Sequence, residues 1–129
     1  MVWKATLAIS SLLLLTAAAD DWKLVTGSVT GSKYYVKAGD MANEADYSPV
    51  AWVKVDARGN RTVNWRTSMT RYRIDCRARA YTILAYVLYD AAGSNVDGQT
   101  YEPYQQTAQP TVPDSVFEPV MKALCPSGS

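Results

Sequence analysis

Arg71-Tyr-Arg-Ile-Asp-Cys-Arg-Ala-Arg79 is the stretch on which the fold turns. Tyr72, Ile74, Cys76 and Ala78 alternate with Arg71, Arg73, Asp75, Arg77 and Arg79. Strict alternation over this span predicts a strand with one buried face and one solvated face. Downstream, Tyr81 to Tyr89 carries strand-forming residues that are apolar on both faces apart from Thr82. It is either the same strand continued past a bulge or its neighbour. Asp90-Ala-Ala-Gly93 reads as a hairpin turn, Gln99 to Tyr104 as a last short strand, and Gln105 to Pro113 as an extended connector. Upstream, Trp22 to Val25, Lys33 to Lys37 and Val50 to Val55 read as strands. Ala38 to Pro49 reads as a loop, and Asp56 to Asn60 as a turn.

One segment has a different period. From Asp114 to Cys125, Val116, Val120 and Leu124 form one row, and Phe117, Met121 and Cys125 form the adjacent row. This single apolar stripe at helical spacing predicts a helix lying on the sheet. Ser115 and Glu118 have the spacing of a capping box, and Pro119 falls in or just past the first turn, where proline costs least.

The N-terminus predicts export. Lys4 supplies an initial positive charge, an apolar stretch runs from Ala5 to Ala19, and Ala17-Ala-Ala19 precedes Asp20-Asp21. These are the three parts of a secretory signal peptide, here residues 1–19, and the apolar part is shorter than the about 20 residues a spanning helix needs. No cysteine stands at the cut, so lipid attachment there is not expected. The remaining 20–129 suffice for one small domain, with no transmembrane segment expected in the mature chain. Loss of Lys4 leaves 12 basic against 12 acidic residues, which gives no global reason to expect nucleic acid as a partner. Cys76 and Cys125 are the only cysteines, and in an oxidising compartment they are expected to pair. The bond would join the inward face of the Arg-rich strand to the helix end.

The ordered set Trp22, Ala51-Trp-Val-Lys-Val55, Tyr72-Arg-Ile-Asp-Cys76, Tyr89-Asp-Ala-Ala-Gly93 and Val112-Pro-Asp-Ser-Val116 leading to Cys125 resembles the surface-adhesin protein E family of Gram-negative bacteria. The resemblance implies an antiparallel sheet crossed by a C-terminal helix, in an exported, non-enzymatic protein; the member that gives the family its name is a surface adhesin for host matrix proteins. The expected fold is therefore α+β: an antiparallel sheet of about five to six strands, crossed by one C-terminal helix tied to it by a disulfide.

The residues for catalysis are sparse. With no histidine, the usual general base and any Ser-His or Cys-His pair are excluded, and no phosphate-binding or dinucleotide motif is found. Carboxylate pairs such as Asp20-Asp21 and Glu44/Asp46 read as solvated charges. No enzyme and no cofactor is expected. Two surfaces are candidates for a ligand. Arg71, Arg73, Arg77 and Arg79 should project about 7 Å apart from one strand face, where they could engage a sulfated glycan or a carboxylate-rich partner. Their alternative is an ordinary solvent face. Tyr34, Tyr101 and Tyr104, in the two Tyr-rich segments, could serve protein contact, and an exposed edge strand could pair with its copy to give a homodimer. Asn60-Arg-Thr62 is a glycosylation sequon. The expected function is a binding protein for a protein or extracellular-matrix ligand, secreted, periplasmic or at the cell surface. The other reading is a periplasmic envelope or structural domain, or an inhibitor of an exported enzyme.

Overall fold

The computed structural model describes residues 21–42 and 47–126. The expected signal peptide, Asp20, Glu44 and Asp46 lie outside the described residues. Six strands follow one another as an antiparallel meander: β1 (Trp22–Gly27), β2 (Lys33–Lys37), β3 (Val50–Asp56), β4 (Thr67–Asp75), β5 (Ala80–Tyr89) and β6 (Asn95–Thr100). A two-residue β7 (Gln109–Pro110) pairs with β5, and the helix α1 (Phe117–Leu124) follows. The expected α+β architecture is thus present, with Cys76 bonded to Cys125.

Alternation decides which side the helix covers. In β3, Ala51, Val53 and Val55 are buried, while Trp52, Lys54 and Asp56 between them are half-buried. Register carries this alternation across the sheet: Val36 pairs with Val53, and Tyr72 with Ala51. Val120, Met121 and Leu124 of α1 meet Val36, Ala51, Val53 and Ile74 in one core on that side. Phe117 extends the core by packing on Tyr81 (ring centroids 4.4 Å) and Tyr72 (5.0 Å). Burial pushes the Tyr72 phenol up to about 12.

Four expectations are corrected in detail. The Arg-rich strand begins earlier and ends at Asp75, with 76–79 forming a turn. The Asp75 carboxylate accepts the Ala78 amide at 3.0 Å, and Arg79 adopts a left-handed φ of 52°. An aspartate bonded to its own following backbone favours a turn over continued pairing. β5 is therefore the neighbour of β4 and not its continuation. The strand expected over Gln99 to Tyr104 is displaced toward the N-terminus, to Asn95–Thr100. β6 ends at Thr100, and Pro103–Gln105 is a 3₁₀ turn closed by Glu102 and Gln105, because proline fits the first position of a helical turn. The loop 38–49 opens with a short 3₁₀ turn, Ala38–Asp40. At the helix start the expected Ser115–Glu118 box does not form. Glu118 instead accepts the Asp114 amide at 2.6 Å, while Ser115 Oγ is buried with no hydrogen-bond partner among the described residues. Asp114, at φ 60°, turns the chain so that its own amide faces the carboxylate.

The β1–β2 turn packs backbone to backbone on the turn after β3. Gly31 has φ 100°, and a Cβ there would stand 2.4 Å from the Gly59 carbonyl oxygen, so only glycine permits the approach. Asn60 locks the contact. Its amide donates to Ser32 Oγ (2.9 Å) and Thr30 Oγ1 (3.2 Å), and its oxygen accepts the Thr62 amide (2.9 Å) and hydroxyl (2.6 Å). The sequon asparagine is thus 6% exposed and fully engaged.

Candidate functional site

The helix lies on one face of the sheet and leaves the other without a covering helix among the described residues. Register sets out what that open face displays. Trp22 of β1 pairs with Lys37 of β2. Trp52 of β3 follows the Val36–Val53 pair in the same register and itself pairs with Arg71 of β4, which pairs with Ala85 of β5 and then Thr100 of β6. A single cross-strand row therefore reads Trp22, Lys37, Trp52, Arg71, Ala85, Thr100. The next row reads Leu24, Tyr35, Lys54, Met69, Val87, Gly98.

Cations outnumber acids on this face. Lys33, Lys37, Lys54, Arg71 and Arg73 point to it, against Asp56 and Asp75 at strand ends and Asp40, whose carboxylate accepts the Trp52 amide at 3.3 Å. The acids at strand ends are engaged: Asp75 by the Ala78 amide, and Asp56 by the forked Arg58 guanidinium at 2.7–3.1 Å. Hydrogen bonding from Arg58 holds the Asp56 carboxyl below its ordinary range. The cations lie against aromatic rings. The Lys54 ammonium is 4.9 Å from the centroids of both Trp22 and Tyr35, and that of Lys37 is 5.5 Å from Trp22. Ring faces carry negative quadrupole density, so this contact orders the lysine stems without neutralising their charge. Beyond Arg71 the face dips into a shallow groove of about 630 Å³, bordered by Trp52, Ala85, Val87, Gly98 and Thr100.

The structure separates the residues singled out from the sequence. Arg71 and Arg73 stand together on the open face, and Arg73 donates to Gln106 at 3.5 Å. Arg77 and Arg79 lie in the 76–79 turn, so the four arginines do not form one row. Arg77 stacks 4.6 Å over Tyr47, and Arg79 pairs with Glu118 at 3.4 Å. Tyr34 packs on the helix side against the core, and burial raises its pKa. Tyr101 lies beside Tyr86 at 6.2 Å, while Tyr104 is exposed at the 3₁₀ turn. Sequence reading missed Trp22, Tyr35, Lys37, Trp52 and Lys54 as one surface. Alternation in β2 and β3 was the available signal, but only the register aligns the strands. Among the described residues, no group of three or more His, Cys, Asp or Glu is placed to hold a metal ion. No helix among them is long and apolar enough to cross a membrane.

A helix pinned by a disulfide to one face of an antiparallel meander, with a cationic, aromatic opposite face, defines a scaffold built around a presented surface. The chain belongs to the surface-adhesin protein E family, whose profile matches residues 22–126. Membership makes it a surface-adhesin-like, exported protein. No curated protein and no solved structure matches this chain.

Proposed function

We propose that this chain is cleaved after residue 19 and acts as an exported, non-enzymatic adhesin that holds a host protein or matrix ligand on the open sheet face. The observation that carries this reading is the Trp22–Lys37–Trp52–Arg71 row, which places two indoles and two cations on a sheet face that no helix among the described residues covers. Residues fixed by a hydrogen-bonded ladder lose little conformational freedom on binding, and tryptophan and arginine are the side chains that most often anchor interfaces. Arg71 and Arg73 belong to this surface, and Tyr104 could contribute from its rim. Arg77, Arg79, Tyr34 and Tyr101 are engaged elsewhere.

The test has two parts. Intact cells should bind antibody raised against the protein, and purified exported protein should be captured on immobilised matrix proteins. Trp52→Ala should reduce that capture about tenfold or more, as expected of an interface anchor, with the circular dichroism spectrum unchanged. Exposed protein whose capture is insensitive to Trp52→Ala would move the ligand to another surface. Protein shielded from antibody in intact cells would favour a periplasmic structural role.

A further inference from the structure

We infer that Asp97 and Gly98 of β6 form a self-modifying site, where the aspartate closes onto the glycine amide as a succinimide and reopens as isoaspartate, loosening the edge of the sheet. The site needs no ligand and does not depend on what the open face binds.

Residue type is the first requirement. Asp97 is the only aspartate in the chain followed by glycine, and no asparagine is followed by one. Glycine leaves its amide nitrogen without a side chain beside it and tolerates the backbone rotation that ring closure demands.

The fold then brings the reacting groups together. β6 is the last strand in the sheet order, and all six of its residues are exposed. The Tyr101 amide donates to the Leu84 carbonyl at 2.9 Å, so in this antiparallel pair Gln99 and Asp97 also direct their main-chain groups to β5. Gly98, between them, turns its amide away from the ladder. There it donates to Asp97 Oδ1 at 2.8 Å, while the Tyr86 hydroxyl donates to Oδ2 at 3.5 Å. Holding reacting groups in contact in this way raises their effective concentration. Other aspartates accept amides further along the chain: Asp56 from Arg58, Asp75 from Ala78, and Asp90 from Ala92 and Ser94. Those bonds draw the carboxyl past the adjacent nitrogen. Asp97 instead faces its immediate neighbour.

The chemistry balances with water as the only co-reactant. The Gly98 nitrogen bonds to Asp97 Cγ, and one carboxyl oxygen leaves as water, taking the amide proton and a proton from solvent. Water then adds to either ring carbonyl. Opening at Cγ restores aspartate. Opening at the main-chain carbonyl breaks its bond to the Gly98 nitrogen, so the chain runs on through the former side-chain carboxyl. The product has the mass of the starting chain and carries one solvent oxygen. Its main chain is longer by one methylene, which breaks the Leu88–Asp97 pairing and shifts Gly98 against the groove it borders. An edge strand is held on one side only, so it yields to ring closure and to this misfit more readily than a central strand.

The experiment incubates the full exported protein under native conditions in water enriched in the heavy oxygen isotope, and maps isoaspartate by peptide mass spectrometry. In wild-type protein isoaspartate should accumulate at residue 97, bearing one heavy oxygen, ahead of every other aspartate. Asp97→Glu moves the carboxyl past the length that closes a succinimide and should abolish the signal, with thermal melting unchanged. Gly98→Ala is the poorer variant, because its Cβ would stand 3.1 Å from the Tyr86 carbonyl oxygen and press on β5. Converted protein should lose hydrogen-exchange protection at the Leu88 amide while β3 keeps its own. Native protein that stays unconverted while the urea-unfolded chain converts would overturn the inference, since the fold would then block the reaction and not position it. Isoaspartate without heavy oxygen would overturn the succinimide route. Unchanged protection at Leu88 in converted protein would overturn the loosening of β6.

Discussion

Tyr72 shows how one side chain reports on packing. Its ring packs against both Tyr81 and Phe117, and burial raises its pKa from 10.0 to about 12. A raised phenol pKa means that the folded state keeps its proton where the unfolded chain has lost it. Stability from this group is complete below pH 10 and declines as pH rises between the two values. The slope approaches about 1.4 kcal/mol per pH unit for one group. Urea titrations at pH 8 and pH 11 should therefore show a steep alkaline loss in the wild type. Tyr72→Phe, which removes the titrating hydroxyl, should flatten that loss. Identical pH profiles would assign the alkaline sensitivity to another group. Alternation in the Arg-rich stretch made the inward side of Tyr72 legible, but not its aromatic partners. Asn60 was legible only as a sequon; its buried role depends on Thr30 and Ser32, nearly thirty residues earlier, reaching the same turn.

At the scale of elements, α1 is too short to be stable by itself and depends on the sheet. Its apolar stripe was readable because helical spacing is local. Its start was not, since the partner of Glu118 depends on how the chain turns at Asp114. The Cys76–Cys125 bond holds the helix end to the end of β4 across a separation of 49 residues. On the chain-entropy account, closing a loop of this length stabilises the fold by about 4 kcal/mol. The variant Cys76→Ala/Cys125→Ala should lose stability of that order in a urea titration, whereas a loss under about 1 kcal/mol would show that packing alone seats the helix. The end of β4 illustrates a limit of pattern reading. Alternation persisted through Arg79 in sequence, yet Asp75 captured the Ala78 amide and ended the strand. Side-chain competition for the backbone leaves no trace in hydrophobic periodicity.

For the whole molecule, the expected compartment and the observed bond make a joint prediction. Exported protein should have an intact mass that begins at Asp20 and rises by two hydrogens on reduction. An uncut chain with two free thiols would remove the basis for export. The sequence by itself determined the strand-then-helix order, the helix stripe, the cysteine pair and the family resemblance, because each depends on local period, residue type or residue order. Only the tertiary structure decided which side chains share a surface. Arg77 and Arg79 left the expected row through a local turn, while Trp22, Lys37, Trp52 and Arg71 joined one through pairing of four strands. Register is a relation between distant segments, fixed when the inward residues find a common core, and the composition of the outward face follows from it.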